Sequence, residues 1–211
     1  MKNKLIVFAA LFIAAAVFAQ SAGDFSYNVF DDDGTVYIRR YTGTASRVTI
    51  PARIDGKPVT GIYTAAFADN KTLTSVVIPE GVTFINANRV VGVGAFMDCT
   101  NLTSVTLPSS LVEIGFGAFS YCDSLSAITI PPKVEWIGTF AFSNCSSLKT
   151  IALPASIKKI DHSAFSNCTS LTTVTIPASV TELSIGLEAF EGCPLNAASI
   201  ALLKKYGYDH K

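Results

Sequence analysis

The side chains here whose type and spacing could do chemistry are the cysteines. Cys99, Cys122, Cys145 and Cys168 follow one another at intervals of 23 residues, and Cys193 comes 25 later. Each lies three residues after a Phe, in an Ala-Phe-x-x-Cys step. Metal ligation needs converging donors of mixed spacing, such as paired Cys-x-x-Cys with His partners, and no such set is present. A nucleophilic thiol needs a base beside it. The two histidines are His162 and His210, and His162 stands at a variable position held by Phe116 and Thr139 in neighbouring units. Disulfides are open to an exported chain, and stacked layers would bring Cα atoms within the roughly 4.4–6.8 Å that a bridge requires. Side chains in one column point in parallel, however, and five cysteines leave one over. The column therefore reads as buried free thiols that fill small apolar spaces, with one or more bridges as the remaining alternative. There is no Gly-rich phosphate loop, G-x-S-x-G elbow or Ser-His-Asp set. No catalytic, cofactor-binding or metal-binding residue is assigned, and no enzyme activity is expected.

The cysteines recur because the chain recurs. Aligned on an Ile/Leu-Pro step, six units begin at Ile50, Ile78, Leu107, Ile130, Leu153 and Ile176. The later spacings are 23 residues, and the first two are lengthened by "ARIDGKPVTG" and "NANRVVGVG", which read as loop insertions. The shared pattern is (I/L)-P-x-x-(V/I/L)-x-x-(I/L)-x-x-x-A-F-x-x-C-x-x-L-x-x-(V/I)-x. A unit this short cannot bury its own apolar side, so units must stack around one continuous core. "LTSVTLP" (Leu102–Pro108) alternates as a strand does, and Pro108, without an N–H, ends it. "LSAITIP", "LKTIALP" and "LTTVTIP" are its equivalents, stacking at about 4.8 Å into a parallel sheet.

This pattern resembles the 23-residue bacterial leucine-rich repeats of BspA-like and treponemal surface proteins, over about residues 24–195. The resemblance implies an α/β-type leucine-rich repeat solenoid: a short parallel sheet on one face, irregular or 3-10 returns on the other, and capped ends. It also implies a role in surface attachment, host or matrix binding, or cell contact. It carries no residue-level binding site.

The ends complete the domain plan. Lys2 and Lys4, the apolar run Leu5–Phe18 and the Val17-x-Ala19 ending match a secretory signal peptide over residues 1–19. Its core is shorter than the roughly 18–20 apolar residues of a spanning helix, so export with cleavage is expected rather than membrane insertion. Loss of Lys2 and Lys4 leaves 14 basic and 16 acidic residues, a net charge of −2. That balance favours neither nucleic acid nor an anionic membrane as partner. Residues 20–49 read as a β-hairpin cap, with apolar and polar residues alternating on both sides of Asp33-Gly34. The acidic run Asp31–Asp33 lacks the spaced ligands of a calcium loop and reads as a turn. The solenoid occupies 50–195. In 196–211, Ile200, Leu203 and Tyr206, with Asn196 or Ser199 as N-cap, predict a short helix over the last layer.

Function is left to the outer surface. Along the sheet, the outward pairs Ser104/Thr106, Ala127/Thr129, Thr150/Ala152 and Thr173/Thr175 make a small, uncharged, hydroxyl-rich face. Elsewhere, the position before the Ile/Leu anchor holds Phe84, Glu113, Trp136, Lys159 and Glu182. A second variable position holds Gly94, Gly117, Phe140, Ser163 and Glu188. Phe84, Phe116, Tyr121, Trp136 and Phe140 put large aromatics where sister units carry small or polar residues, and they form the candidate protein-binding patch. The expected function is an exported, adhesive protein-binding module for an extracellular-matrix or cell-surface glycoprotein. The alternative is a structural or assembly subunit of the envelope with no host ligand.

Overall fold

A computed structural model describes residues 22–30, 34–86 and 92–209. The signal segment, the Asp31–Asp33 turn, the centre of the second unit's insertion and His210 lie outside the described residues.

Hairpin strands β1 (Phe25–Val29) and β2 (Val36–Tyr41) lead into β3 (Arg47–Thr49), β4 (Arg53–Ile54) and β5 (Lys57–Ile62). The chain then alternates between two faces through β6 (Ser75–Val77), β7 (Phe84–Ile85), β8 (Ser104–Thr106), β9 (Glu113–Ile114) and β10 (Trp136–Ile137). It continues through β11 (Thr150–Ala152), β12 (Lys159–Ile160), β13 (Thr173–Thr175) and β14 (Ser184–Ile185), and ends in helix α1 (Ala197–Lys204). The result is a solenoid of about six turns with a parallel ladder on each of two faces.

The Ile/Leu-Pro strands form β3-β6-β8 and β11-β13. The segment "LSAITIP", expected to be the strand between them, carries no strand assignment, so this sheet is split in two. The chain's only tandem prolines, Pro131–Pro132, follow it directly. Neither can donate a ladder hydrogen bond, and Pro132 restricts Pro131 to extended backbone. The face expected to return irregularly carries a longer ladder, in the order β1-β2-β5-β7-β9-β10-β12-β14, with β4 beside β5. Its strands are mostly two residues long, too short for any alternation to show in sequence.

Between these faces lies the Ala-Phe turn, and its rings make the core. Phe67, Phe96, Phe119, Phe142, Phe165 and Phe190 stack with centroids 4.7–5.4 Å apart and planes within 15°. Each ring is almost wholly buried. Aromatic pairs of this kind add about 0.5–1.5 kcal/mol each beyond the area they bury. Backbone hydrogen bonds link the same turns: Phe67, Phe96, Phe119, Phe142 and Phe165 each donate their N–H to the Ala carbonyl of the next layer at 2.7–2.8 Å.

A repeating ladder leaves its two ends unsatisfied, and both ends are closed by mimicry. At the N-terminus Tyr41 stacks on Phe67 (5.3 Å, 21°) and donates its N–H to Ala66, as a Phe of a preceding layer would. At the C-terminus side-chain hydroxyls stand in for a missing seventh layer. The Ser199 hydroxyl accepts from the Val174 N–H at 2.9 Å and faces its carbonyl at 3.4 Å. The Tyr206 hydroxyl donates to the Val180 carbonyl at 2.9 Å. The Tyr208 hydroxyl accepts from the Phe190 N–H at 3.0 Å. Asn196 is the helix N-cap, accepting from the Ser199 N–H at 2.9 Å.

Two substitutions test this account by urea denaturation. Phe142→Ala opens a cavity in mid-stack and is expected to lower stability by about 3–5 kcal/mol. Tyr208→Phe keeps the ring but strands a buried N–H, and is expected to lower stability by about 1–3 kcal/mol. A neutral Tyr208→Phe would show that the hydroxyl does not serve as the final carbonyl.

Candidate functional site

The cysteines take their place from the same turn. All five are buried and free. Each thiol donates to the Phe carbonyl one layer back: Cys99 to Phe67, Cys122 to Phe96, Cys145 to Phe119, Cys168 to Phe142 and Cys193 to Phe165, at 3.0–3.3 Å. The column thus supplies packing and one weak polar link per layer. Among the described residues, no three His, Cys, Asp or Glu side chains converge as metal ligands would.

Two positions, one on each side of the Ala-Phe pair, adopt left-handed backbone, the second in all six layers and the first in every layer but that of Gly94. The second holds Asp69, Asp98, Tyr121, Asn144 and Asn167 at φ 57–61°, and Gly192 at 71°. The first holds Ala65, Gly117, Phe140, Ser163 and Glu188 at φ 52–57°. Gly, Asn and Asp suit this conformation: glycine has no Cβ to meet the following carbonyl, a clash of about 1–2 kcal/mol, and the short side chains of Asn and Asp offset it by hydrogen-bonding locally. Tyr121 and Phe140 are therefore the two bulky exceptions in columns otherwise filled by small or polar residues, apart from Glu188.

Those two exceptions line one cleft of about 440 Å³ on the turn edge. Tyr121 is 46% exposed, and the Phe140 ring is half-buried. The floor is a hydroxyl ladder: Ser120 Oγ donates to the Ser143 carbonyl at 3.2 Å, and Ser143 Oγ and Ser166 Oγ meet at 2.8 Å. Glu188 and Glu191 stand at the far end. Phe140 also meets Phe116 and His162 edge-on, each with centroids 5.8 Å away. Phe116, Tyr121 and Phe140 are thus brought to one margin.

Trp136 and Phe84 belong to the long sheet, where Phe84, Glu113, Trp136, Lys159 and Ser184 stand in register. The two-residue lengthening of the last unit puts Ser184 in this row in place of the expected Glu182. Trp136 Nε1 donates to Asp161 Oδ2 at 2.7 Å, and Lys159 pairs with Oδ1 at the same distance, so the half-buried indole is clamped. Phe84 turns toward the N-terminal cap. Its ring covers Gly61, where a Cβ would lie 2.1 Å from it, and meets Tyr37 edge-on at 4.8 Å. Tyr37 in turn touches Phe30 and Tyr63. Ring contacts thus put Phe84 in an N-terminal group and Phe116 with Phe140 at the turn edge, where Tyr121 joins them across the cleft, while Trp136 stands on the long sheet. The roles of His162, Glu188 and Glu191 were not read from the sequence, although the Ser120/Ser143/Ser166 column was visible there as a repeated "AFS".

On the opposite margin, the split in the Ile/Leu-Pro sheet coincides with a shallow concavity of about 730 Å³. Val105, Ile128 and Leu153 lie beneath it, and Ala127, Thr129 and Thr150 are among the residues at its surface. It is uncharged and carries no large anchor.

A family model for the BspA type leucine rich repeat region matches in six copies over residues 44–92 and 89–207. No curated protein matches the chain. Among solved structures, a leucine-rich repeat protein of T. pallidum is 29% identical, with a TM-score of 0.73, and 92% of this chain covers 98% of that one. A leucine-rich repeat protein from Bacteroides ovatus is 29% identical (TM-score 0.66; 82% of this chain, 44% of that one). A leucine rich cell surface protein from Faecalibacterium prausnitzii is 35% identical (TM-score 0.60; 84% of this chain, 53% of that one). The chain spans about half the length of the last two. Among the described residues, no helix is long and apolar enough to cross a membrane.

Thiol burial makes a prediction. Burial pushes Cys99 and Cys145 up to about 12 and Cys122 well above its ordinary value. Cys168 is raised by its contact with the Cys193 thiol and then by burial, and the same contact lowers Cys193. A proton bound more tightly in the folded chain stabilises it fully below the unfolded thiol pKa, about 8.5, and this contribution fades as pH rises through about 12. Urea midpoints should fall as pH is raised above about 8.5, and Ellman's reagent should label no thiol until the chain unfolds. Rapid labelling of the native protein would contradict the buried column.

Proposed function

Since the chain belongs to the BspA-type leucine-rich repeat family, whose fold is that of a protein-interaction module, we propose that it is exported and adhesive. Its partner is a matrix or cell-surface glycoprotein, gripped by Phe116, Tyr121 and Phe140 at the turn edge and by Trp136 on the long sheet. The observation that supports this reading is the retention of aromatics where the fold disfavours them. Inward positions serve stacking, whereas Tyr121 and Phe140 stand at left-handed positions that glycine or asparagine would fill with less strain. Large aromatics held partly exposed by a rigid scaffold are the usual anchors of protein interfaces. Phe84 contributes by fixing the N-terminal cap. Six layers form a rod of roughly 30 Å, enough for one standard interface of about 800 Å² per partner.

The test is label-free binding of the purified protein to a panel of matrix and serum glycoproteins, beside Trp136→Ala/Phe140→Ala. Saturable micromolar binding, weakened at least tenfold in the folded double variant, is the expected result. Unchanged affinity in that variant would remove the aromatic margin from the interface. Absence of binding together with concentration-dependent self-association would favour an assembly subunit.

A further inference from the structure

We infer that the turn-edge cleft between Tyr121 and Glu191 takes an extended basic peptide segment of the protein partner, two cationic side chains reaching its two ends. This rests on the protein-binding reading above and names the chemistry that would be bound. The floor hydroxyls already have partners: Ser143 and Ser166 bond to each other, and Ser143 also accepts from Asn144 Nδ2 at 2.9 Å. The charged hydrogen-bonding capacity toward a ligand is acceptor capacity at the carboxylates, beside the neutral Tyr121 hydroxyl and Asn167 amide. Glu188 uses one oxygen, Oε2, toward His162 at 3.5 Å and Ser163 at 3.4 Å. Among the described residues, no lysine or arginine lines the cleft. A guanidinium meets both ends: its fork matches a carboxylate, and its plane stacks on an aromatic face.

The spacing sets the register. Tyr121 and Glu191 are three layers apart, roughly 14 Å at the ladder spacing. An extended chain covers about the same distance between residues i and i+4.

The probe is a blocked pentapeptide, Arg-Gly-Ser-Gly-Arg, titrated calorimetrically into the intact protein beside its citrulline counterpart, which keeps shape and loses charge. The expected result is saturable binding of the arginine peptide, at least tenfold weaker for the citrulline peptide and weaker again at high salt. Tyr121→Asn places in layer three the residue found at Asn144 and Asn167, relieves the left-handed strain, and should keep or raise the melting temperature. It should nonetheless weaken the peptide about tenfold, as should Glu188→Gln/Glu191→Gln. Equal binding of the citrulline peptide, binding of a neutral oligosaccharide in its place, or affinity unmoved by both variants overturns the proposal. A glycoprotein whose binding survives Tyr121→Asn but is lost in Trp136→Ala/Phe140→Ala overturns this site while leaving the module itself intact.

Discussion

Every turn of this chain hands its backbone hydrogen bonds to a neighbour. The Ala-Phe turn is buried, so its polar groups cannot fall back on water, and a buried amide left unpaired costs about 1–3 kcal/mol. Its geometry aims the Phe N–H at the next layer's Ala carbonyl and brings the next layer's thiol to the Phe carbonyl. No single unit can satisfy itself. Stacking is therefore obligatory, columns stay uniform in type, and each end needs atoms that imitate a further layer. Tyr41 does so with a ring and an N–H, and Ser199, Tyr206 and Tyr208 with hydroxyls.

That constraint also decides where function can sit. Column positions that face inward are committed to the stack, and the left-handed positions beside them are restricted by backbone sterics to a narrow set of residues. Departures inside such columns are informative because the fold gives no reason for them. Tyr121 and Phe140 are departures of this kind, and they meet at one cleft rather than at scattered points. Trp136 is a departure of another kind. The long sheet tolerates it easily, and the Asp161 clamp holds its indole in one orientation.

Legibility followed periodicity. The 23-residue period, the Phe and Cys columns, the hairpin at Asp33-Gly34 and the helix after Asn196 all rest on residue types that recur or punctuate, and the sequence carries them openly. Strands of two residues do not alternate, so the long sheet was hidden inside what read as irregular returns. The missing strand at Ser126–Ile130 was hidden for the opposite reason: its alternation is intact, and only the pairing is absent. The exchange of Glu182 for Ser184 came from a two-residue lengthening that can be absorbed on either side of the anchor, and ladder register alone resolves it. Backbone sign was legible at Gly117 and Asn144 and unreadable at Tyr121 and Phe140, where the side chain gives the wrong hint. The turn-edge cleft depended on that last step.

The first unit shows why the thiol column is chemical as well as steric. Asn70 occupies the cysteine position there, and its Oδ1 accepts from the Thr72 and Leu73 N–H groups at 3.0 and 2.9 Å, stabilising its own turn. No Ala-Phe turn precedes that unit, since the layer before it is the Tyr41 cap. Where a Phe carbonyl does precede, a buried group must be apolar enough to sit against stacked rings and still donate weakly at about 3 Å. A thiol meets both demands; an amide would bury more polarity than the site can satisfy. Cysteine enters the column at the first layer that has a Phe turn behind it and persists to the last. An oxidising compartment leaves that logic untouched, because each sulfur is turned to a carbonyl and shielded from solvent.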